Sequence, residues 1–528
     1  MSKVQDKLPS GWAEATIEDI FETLEDGRTL HQGWSPQCES FPSQDEKVWG
    51  ALRTTAIQAG RFCPEHNKQL PAHLAPRPVI EVKAGDILLT CAGPRSRCGI
   101  ACLVRNTRKR LMISGKMYRF RVPEKEIDAR YVEAYLQTTA AQMAIDAMKT
   151  GGSDSGLNLT HERFRPLRIP IAPRNEQQRI ADTLDELLSD LDAGGDALHS
   201  AKAKLALYRA SVLKAAVQGD LTAEWRKQHP DAEPATELLK RILKERRQRW
   251  EQEQLRKFKA AGKTSPTNWK AKYKEPVTPD TTNLPPLPEG WCWATADQLC
   301  EVGTGATPNR GQKVRYYESG TVPWVTSSCV NQPFVDQPSE LVTAEALAEC
   351  NLTIYSPGTI LLAMYGEGKT RGMHTELRIS AATNQAVAAL QTLNSIRSYL
   401  KLFLAKNYHD VRRAASGGVQ PNLNLDVVRS IVLPFPPESE QSVIVESAED
   451  QLSVIDHLES DLASKLAGAK ALRQSILRHA FTGQLVPQDP KDEPASELLK
   501  RIAAEREARK RTKATPRKQT AKRQKREK

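Results

Sequence analysis

No run of about 18 apolar residues occurs in the 528-residue chain, so the sequence offers no membrane-spanning helix. Its opening residues, MSKVQDKLPSGW, lack the apolar core of a secretion signal, and a cytoplasmic location is expected. The nine cysteines are odd in number, scattered and free of any CxxC pair, which argues for reduced thiols and against a disulfide framework. Cys91, Cys98 and Cys102 lie near one another, but no second spaced pair accompanies them; packing is the better reading, and no metal site is expected. Catalytic signatures are missing as well. There is no HExxH and no nucleophile elbow. An adenine methyltransferase needs something like [DNS]-P-P-[YFW], and the Pro-Pro pairs here sit only in LPPLP and FPPES. Glu81-Val82-Lys83 could end a nuclease motif, yet no Pro-Asp precedes it in its domain. GEGKTRG (366–372) is not G-x₄-G-K-[ST], so a phosphate loop is not expected. No residue is assigned a catalytic role.

Charge is present, but unevenly. The net +12 comes from two stretches. Residues 509–528 hold eleven Lys/Arg against one Glu, and residues 240–275 hold thirteen against four. Such runs are more often solvated arms than reading surfaces, so composition permits nucleic-acid binding without establishing it.

The chain also says nearly everything twice. LPSGW (8–12) returns as LPEGW (287–291), and AGDILLTCAG (84–93) as PGTILLAMYG (357–366). GGSDSGLNL (151–159) is matched by GGVQPNLNL (417–425), and IPIAPRNEQQRI (169–180) by LPFPPESEQSVI (433–444). VLKAAVQGDL (212–221) corresponds to ILRHAFTGQL (476–485), and EPATELLKRI (233–242) to EPASELLKRI (493–502). The order is kept and the spacing drifts slowly, as small insertions require. The sequence is therefore read as an internal duplication.

Within each copy a β-rich, turn-punctuated part precedes a long helix. From Arg174 to about Val217, apolar residues recur in alternating steps of four and three: Ile180, Leu184, Leu187, Leu191, Leu198, Leu205. The second copy supplies Ile444, Ile455, Leu458, Leu462, Leu472 and Ile476 on the same frame. Each helix is too apolar on one side to stand alone, and the two are expected to pair. Gly194 suggests either a close approach by the partner or a break in the helix. The predicted class is α+β: two globular domains at 1–170 and 287–435, with long helices at 171–219 and 436–483. A charged helix and a Pro-rich, extended connector fill 220–286, and a charged helix with a basic tail fills 484–528.

This order of parts resembles the specificity subunit of type I restriction–modification enzymes. The likeness rests on the doubled LPxGW starts and on Pro173/Glu176-Gln177 and Pro437/Glu440-Gln441 at the helix entrances. It implies two target recognition domains on an antiparallel coiled-coil spacer related by a pseudo-twofold duplication. It also implies a bipartite, asymmetric target in double-stranded DNA. Partners would be methyltransferase subunits, two of them by symmetry, and restriction–translocase subunits. S-adenosylmethionine, ATP and Mg²⁺ would belong to those partners, and this chain would bind no cofactor. The long basic tail and the extended connector depart from the minimal pattern.

The residues themselves suggest where DNA contact would fall. Gly-bracketed polar loops follow each G-x-ILL strand: GPRSRCG (93–99) with Arg95 and Arg97, and GEGKTRG with Lys369 and Arg371. Further on, Lys116 and Arg119 correspond in place to Asn384 and Gln385. Arg can bond guanine O6 and N7, and Asn or Gln adenine N6 and N7; each can equally hold a phosphate or serve a turn. A competing reading is a coiled-coil scaffold whose basic tail binds DNA without regard to sequence.

Overall fold

The computed structural model describes residues 8–365, 370–415 and 423–514. They fall into two compact units: one runs to His199 and resumes at Ala463, and the other is the continuous stretch Ser200–Leu462. Among the described residues the long helices are Arg174–Gln218 and Glu438–Phe481, the charged helices Ala235–Ala260 and Ala495–Ala514, and Asn394–Ala415 within the second domain.

Unit 1 is built on an antiparallel sheet ordered His31–Gln32, Met117–Phe120, Ile87–Thr90, Ala101–Leu103. Ile87 and Leu89 face one apolar core and Leu88 faces another, so the sheet is covered on both sides. That explains why this strand reads as an unbroken apolar run. A smaller sheet, Leu111–Met112, Gly50–Leu52 and Asn67–Gln69, closes the second core. The domain is tied shut where Ala13–Thr16 pairs with Arg168–Ile171. Thr16 and Asp19 then form a capping box that turns the chain into a short 3₁₀ helix.

Unit 2 repeats the plan. Its five-stranded sheet runs Glu301–Thr304, Val387–Gln391, Ile360–Ala363, His374–Leu377, Phe334–Val335. Ile360 and Leu362 face one core while Leu361 faces another. Cys292–Thr295 pairs with Val432–Phe435, and Thr295 with Gln298 forms the matching capping box.

The repeated motifs meet each other crosswise inside each unit. In unit 1 the Ala495 N–H of the terminal charged helix donates to the Gly11 carbonyl of LPSGW at 2.8 Å. In unit 2 the Ala235 N–H of the first charged helix donates to the Gly290 carbonyl of LPEGW, also at 2.8 Å. Both glycines hold positive φ, +78° and +80°, which a side chain would strain. A Cβ on Gly11 would also crowd Pro173 at 3.3 Å, whereas one on Gly290 would meet Pro437 at an ordinary contact distance of 3.5 Å. The charged helices are integral parts of the cores. Ala495, Leu498 and Ile502 are buried in unit 1, and Ala235, Leu238 and Ile242 in unit 2.

The Glu-Gln pairs fasten the entrances. Gln177 accepts from the Asp128 N–H at 2.9 Å and donates to the Ala172 carbonyl at 2.8 Å. Glu440 is fully buried; it accepts from Thr222 Oγ1 at 2.6 Å, from Trp291 Nε1 at 2.8 Å and from Arg226. In unit 1 the same position differs. Trp12 Nε1 and Glu176 Oε1 are buried without a hydrogen-bond partner among the described residues, and burial raises the Glu176 pKa. Asn175 lies inside the helix and donates to Asp492 at 3.0 Å.

Each unit contains a segment of both long helices. In unit 1, Ile180 and Leu184 share a cluster with Leu477 and Ala480, and Arg473 is ion-paired with Asp192. As one chain advances the other retreats, so the segments run in opposite directions. In unit 2, Ile444 and Ala448 pack with Leu213 and Val217, and Arg209 binds Asp456 and Glu459. Ile455 is buried, and Leu191, Leu198, Leu205, Leu462 and Ile476 are half-buried. Leu187, Leu458 and Leu472 are 39%, 43% and 52% exposed, which corrects the strict seven-residue seam. A 3.6-residue helix drifts about 20° per heptad, and the contact passes to neighbours such as Leu188 and Leu477. Gly194 also departs from expectation, because the helix continues through it and a Cβ there would meet open space among the described residues.

Within the connector, residues 261–277 return along the first charged helix. Trp269 stacks on Trp250 at 5.8 Å and meets Phe258 edge-on at 6.0 Å. Val277 then joins the domain, its N–H donating to Asp297 at 3.0 Å and its carbonyl accepting from Thr295 at 2.6 Å. None of the helices among the described residues is long and apolar enough to cross a membrane.

Candidate nucleic-acid interface

Several polar segments of unit 1 converge at one end of the main sheet. Strand Ile87–Thr90 delivers the loop 91–99, and Ser114–Lys116 enters strand Met117–Phe120 beside it. Leu157–Asn158 pairs with Ala92–Gly93, and Gln32 Nε2 donates to the Gly115 carbonyl at 2.7 Å. Between them opens a cleft of about 690 Å³ lined by Gln32, Ser35, Lys116, Asn158, His161 and Glu162, among others. Lys116 is exposed on its wall. His161 packs against Tyr118 with ring centroids 4.4 Å apart; burial and the Arg165 charge lower its pKa, so the imidazole is neutral near pH 7. Its Nε2 is buried without a partner among the described residues.

The other cations predicted to reach DNA from unit 1 are placed differently. Arg97 Nη2 donates to the Thr54 and Ile57 carbonyls at 2.5 and 2.7 Å, and its Nη1 to Gln58 at 3.2 Å. Arg119 is buried, donating to the Val79 carbonyl at 3.0 Å, to the Glu81 carbonyl and to His31 Nδ1 at 3.3 Å. Both guanidiniums are engaged by backbone carbonyls of neighbouring segments, so in this structure they bind protein. Arg95 is half-exposed and spans Asp146 at 2.6 Å and Asp154 at 3.0 Å. Those carboxylates would have to be displaced before Arg95 met a phosphate. Replacing Arg97 by Gln should cost about 1–3 kcal/mol of stability without DNA present, whereas Lys116→Gln should leave stability unchanged. Chemical denaturation of the two variants checks this.

In unit 2, Gln385 is exposed and accepts from Thr307 Oγ1 at 2.5 Å. Asn384 is half-buried; its Oδ1 accepts from the Ala386 N–H at 3.1 Å, the local turn such a residue favours. Arg371 is half-buried, and Lys369 lies outside the described residues. Tyr316 is buried, and Tyr317 donates to the Pro308 carbonyl at 2.7 Å, so this pair packs inward. The sequence reading missed Thr307, Gln32, Asn158 and His161. Nothing in the local sequence marks them, because the sheet alone brings them to the cleft mouths. Among the described residues no group of three or more His, Cys, Asp or Glu could hold a metal ion.

Strand His374–Leu377 backs the second loop region, and burial together with the Lys401 charge pushes the His374 imidazole down to about 4. Folded chain keeps this ring neutral while unfolded chain takes up a proton below pH 6.5. The contribution is whole above pH 6.5 and is lost as pH falls toward 4, at no more than about 1.4 kcal/mol per pH unit. Comparing urea midpoints at neutral and mildly acidic pH, His374→Gln should show a shallower decline than the parent.

The family described as type I restriction modification DNA specificity domain matches residues 9–196 and 288–463. The specificity subunit of the EcoEI type I restriction enzyme from Escherichia coli is 36% identical over 196 residues, covering 37% of this chain and 32% of that one. The EcoKI specificity subunit from Escherichia coli strain K12 is 24% identical over 526 residues, covering 95% of this chain and 97% of its own length. The chain thus matches only about a third of the EcoEI subunit, while its match to EcoKI is nearly end to end. Among solved structures, a chain from work on complex assembly and conformational transition of the type I R-M system aligns over 91% of this chain and all of its own. Its TM-score is 0.58 at 16% identity, a likeness of fold.

Proposed function

Because this chain belongs to the type I restriction–modification DNA specificity family, we propose that it is the subunit that reads DNA for such a complex. It recognises a bipartite, asymmetric target, one half through each globular domain. The observation that carries this is the unlike chemistry at like places. Lys116, Gln32 and Asn158 line the cleft of unit 1, while Gln385 and Thr307 stand at the corresponding strand end of unit 2. Lysine favours guanine edges or phosphate and glutamine favours adenine, so the two halves would differ in sequence.

The long helices serve as an antiparallel coiled-coil spacer, and the twice-written chain gives it pseudo-twofold character. Helix Arg174–Gln218 alone is about 65 Å long, against about 34 Å for a turn of B-DNA. The opposed helix segments within each unit support this reading. Duplicated outer helix faces would dock two methyltransferase subunits, with restriction–translocase subunits joining through them. S-adenosylmethionine, ATP and Mg²⁺ act on those partners, and this chain supplies recognition without catalysis.

The test is selection from a randomised duplex pool by the assembled complex, together with mapping of methylated adenines in cells with and without the gene. Two short fixed blocks separated by indifferent bases are expected. A single block, or no enrichment, would sink the reading. Lys116→Gln should relax preference at one block only, costing about 1–3 kcal/mol of discrimination if it reads a base.

A further inference from the structure

The first charged helix and its returning strap form a feature that base reading does not use. Beyond Arg249, which pairs with Glu301 at 2.9 Å, the helix runs on to Ala260 with little buried surface. Trp250 and Phe258 lie on one face and receive Trp269 from the strap; Tyr273 meets Trp250 at 5.3 Å and lies under the Arg247 guanidinium at 5.5 Å. Arg256 and Lys259 fall on the opposite face at 100° per residue, and Lys263 continues their line past the helix end. Lys272 and Lys274 follow on the strap. These five cations and Lys244 are exposed, with no ion pair among the described residues.

A solvated linker has no use for an aromatic clamp. Here the clamp holds the hairpin, so its charges are displayed at fixed spacing. Residues three and four apart on a helix are ~5–6 Å from each other. The natural complement is a surface of dense, regular negative charge, and duplex DNA carries one charge per ~1.7 Å of axis. We propose that this hairpin is a sequence-indifferent arm that grips the DNA backbone outside the bases the domains read. The proposal rests on the DNA-reading function and adds a second, purely electrostatic contact to it.

The test uses the full chain in its assembled complex and a random-sequence duplex several helical turns long. The six cations are changed together: K244Q, R256Q, K259Q, K263Q, K272Q and K274Q. All are exposed, so the thermal midpoint should hold, and the basic tail present in both proteins cancels. Each phosphate contact contributes about 0.9 to the slope of log affinity against log salt, so the slope should fall by about 3–5 and low-salt affinity by at least about tenfold. A companion variant, Trp269→Ala, keeps every charge but frees the strap; it should lose affinity severalfold with the slope retained. An unchanged slope in the six-fold variant overturns the proposal. If that variant instead releases the methyltransferase subunits, the arm belongs to an acidic protein surface, and the proposal is equally overturned. Sequence preference, read by pool selection on the same variant, should persist; its absence in the parent would defeat the recognition reading, while the salt slope still judges the arm.

Discussion

Replacing Glu440 with alanine is expected to destabilise unit 2 by about 1.5–3 kcal/mol, the cost of removing a charged acceptor from partly buried Arg226 and from the Trp291 indole. The carboxylate is fully buried and holds Arg226, Thr222 and the Trp291 indole at once. It joins the entrance of one long helix, the exit of the other and the LPEGW turn. Glu440→Gln leaves a single acceptor oxygen where two are used and loses the charge facing Arg226, so at least about half of that loss should remain. The matching change in unit 1 should behave oppositely. Glu176 has no ion pair with a guanidinium among the described residues, and burial raises its pKa. An acid raised in this way stabilises the fold only while protonated, and that contribution fades as pH rises through its folded value. At neutral pH Glu176→Gln should therefore be neutral or stabilising. Denaturant titration followed by tryptophan fluorescence distinguishes the pair; equal losses would mean that the two carboxylates are held alike.

Truncating Leu498 to alanine should cost unit 1 about 2–5 kcal/mol, and Leu238→Ala should cost unit 2 a similar amount. Both leucines are buried, at 1% and 2% exposure, and each comes from a charged helix that follows the other repeat's long helix. Leu498 packs with Ile17, Ile20 and Phe21, while Leu238 packs with Trp291, Ala294 and Leu299. Hydrogen exchange should localise the damage. Leu498→Ala should open 13–21 and spare 292–299; Leu238→Ala should do the reverse. Damage confined to the mutated helix alone would mean that the helix only rests on the domain.

The repeated motifs and the long helices could be read in the sequence, because repetition and helical period are properties of the chain itself. The crossing of repeated motifs was hidden. LPxGW and EPA[ST]ELLKRI are far apart in sequence, and only the Gly11–Ala495 and Gly290–Ala235 bonds show that they belong together. The return of residues 261–277 along the charged helix was hidden as well, because the Trp250–Trp269 and Trp250–Tyr273 contacts exist only once the chain turns back on itself. Arg97 and Arg119 were misjudged for a related reason. An arginine beside glycines or at a strand edge can face solvent or feed carbonyls of a distant loop, and only tertiary contacts decide. Lys116 and Gln385 remain exposed because no carbonyl or carboxylate of the surrounding sheet claims them fully.

Unit 2 is one uninterrupted stretch, but unit 1 borrows everything from Ala463 onward. A ribosome therefore finishes the second body first. The first waits, with the surface around Ile17 and Phe21 uncovered, until residues 495–502 emerge nearly 300 positions later. At ~5–20 residues per second that delay is roughly 15–60 s, long enough for a chaperone to matter. Newborn chains stalled before residue 495 should be protease-sensitive in their opening segment alone.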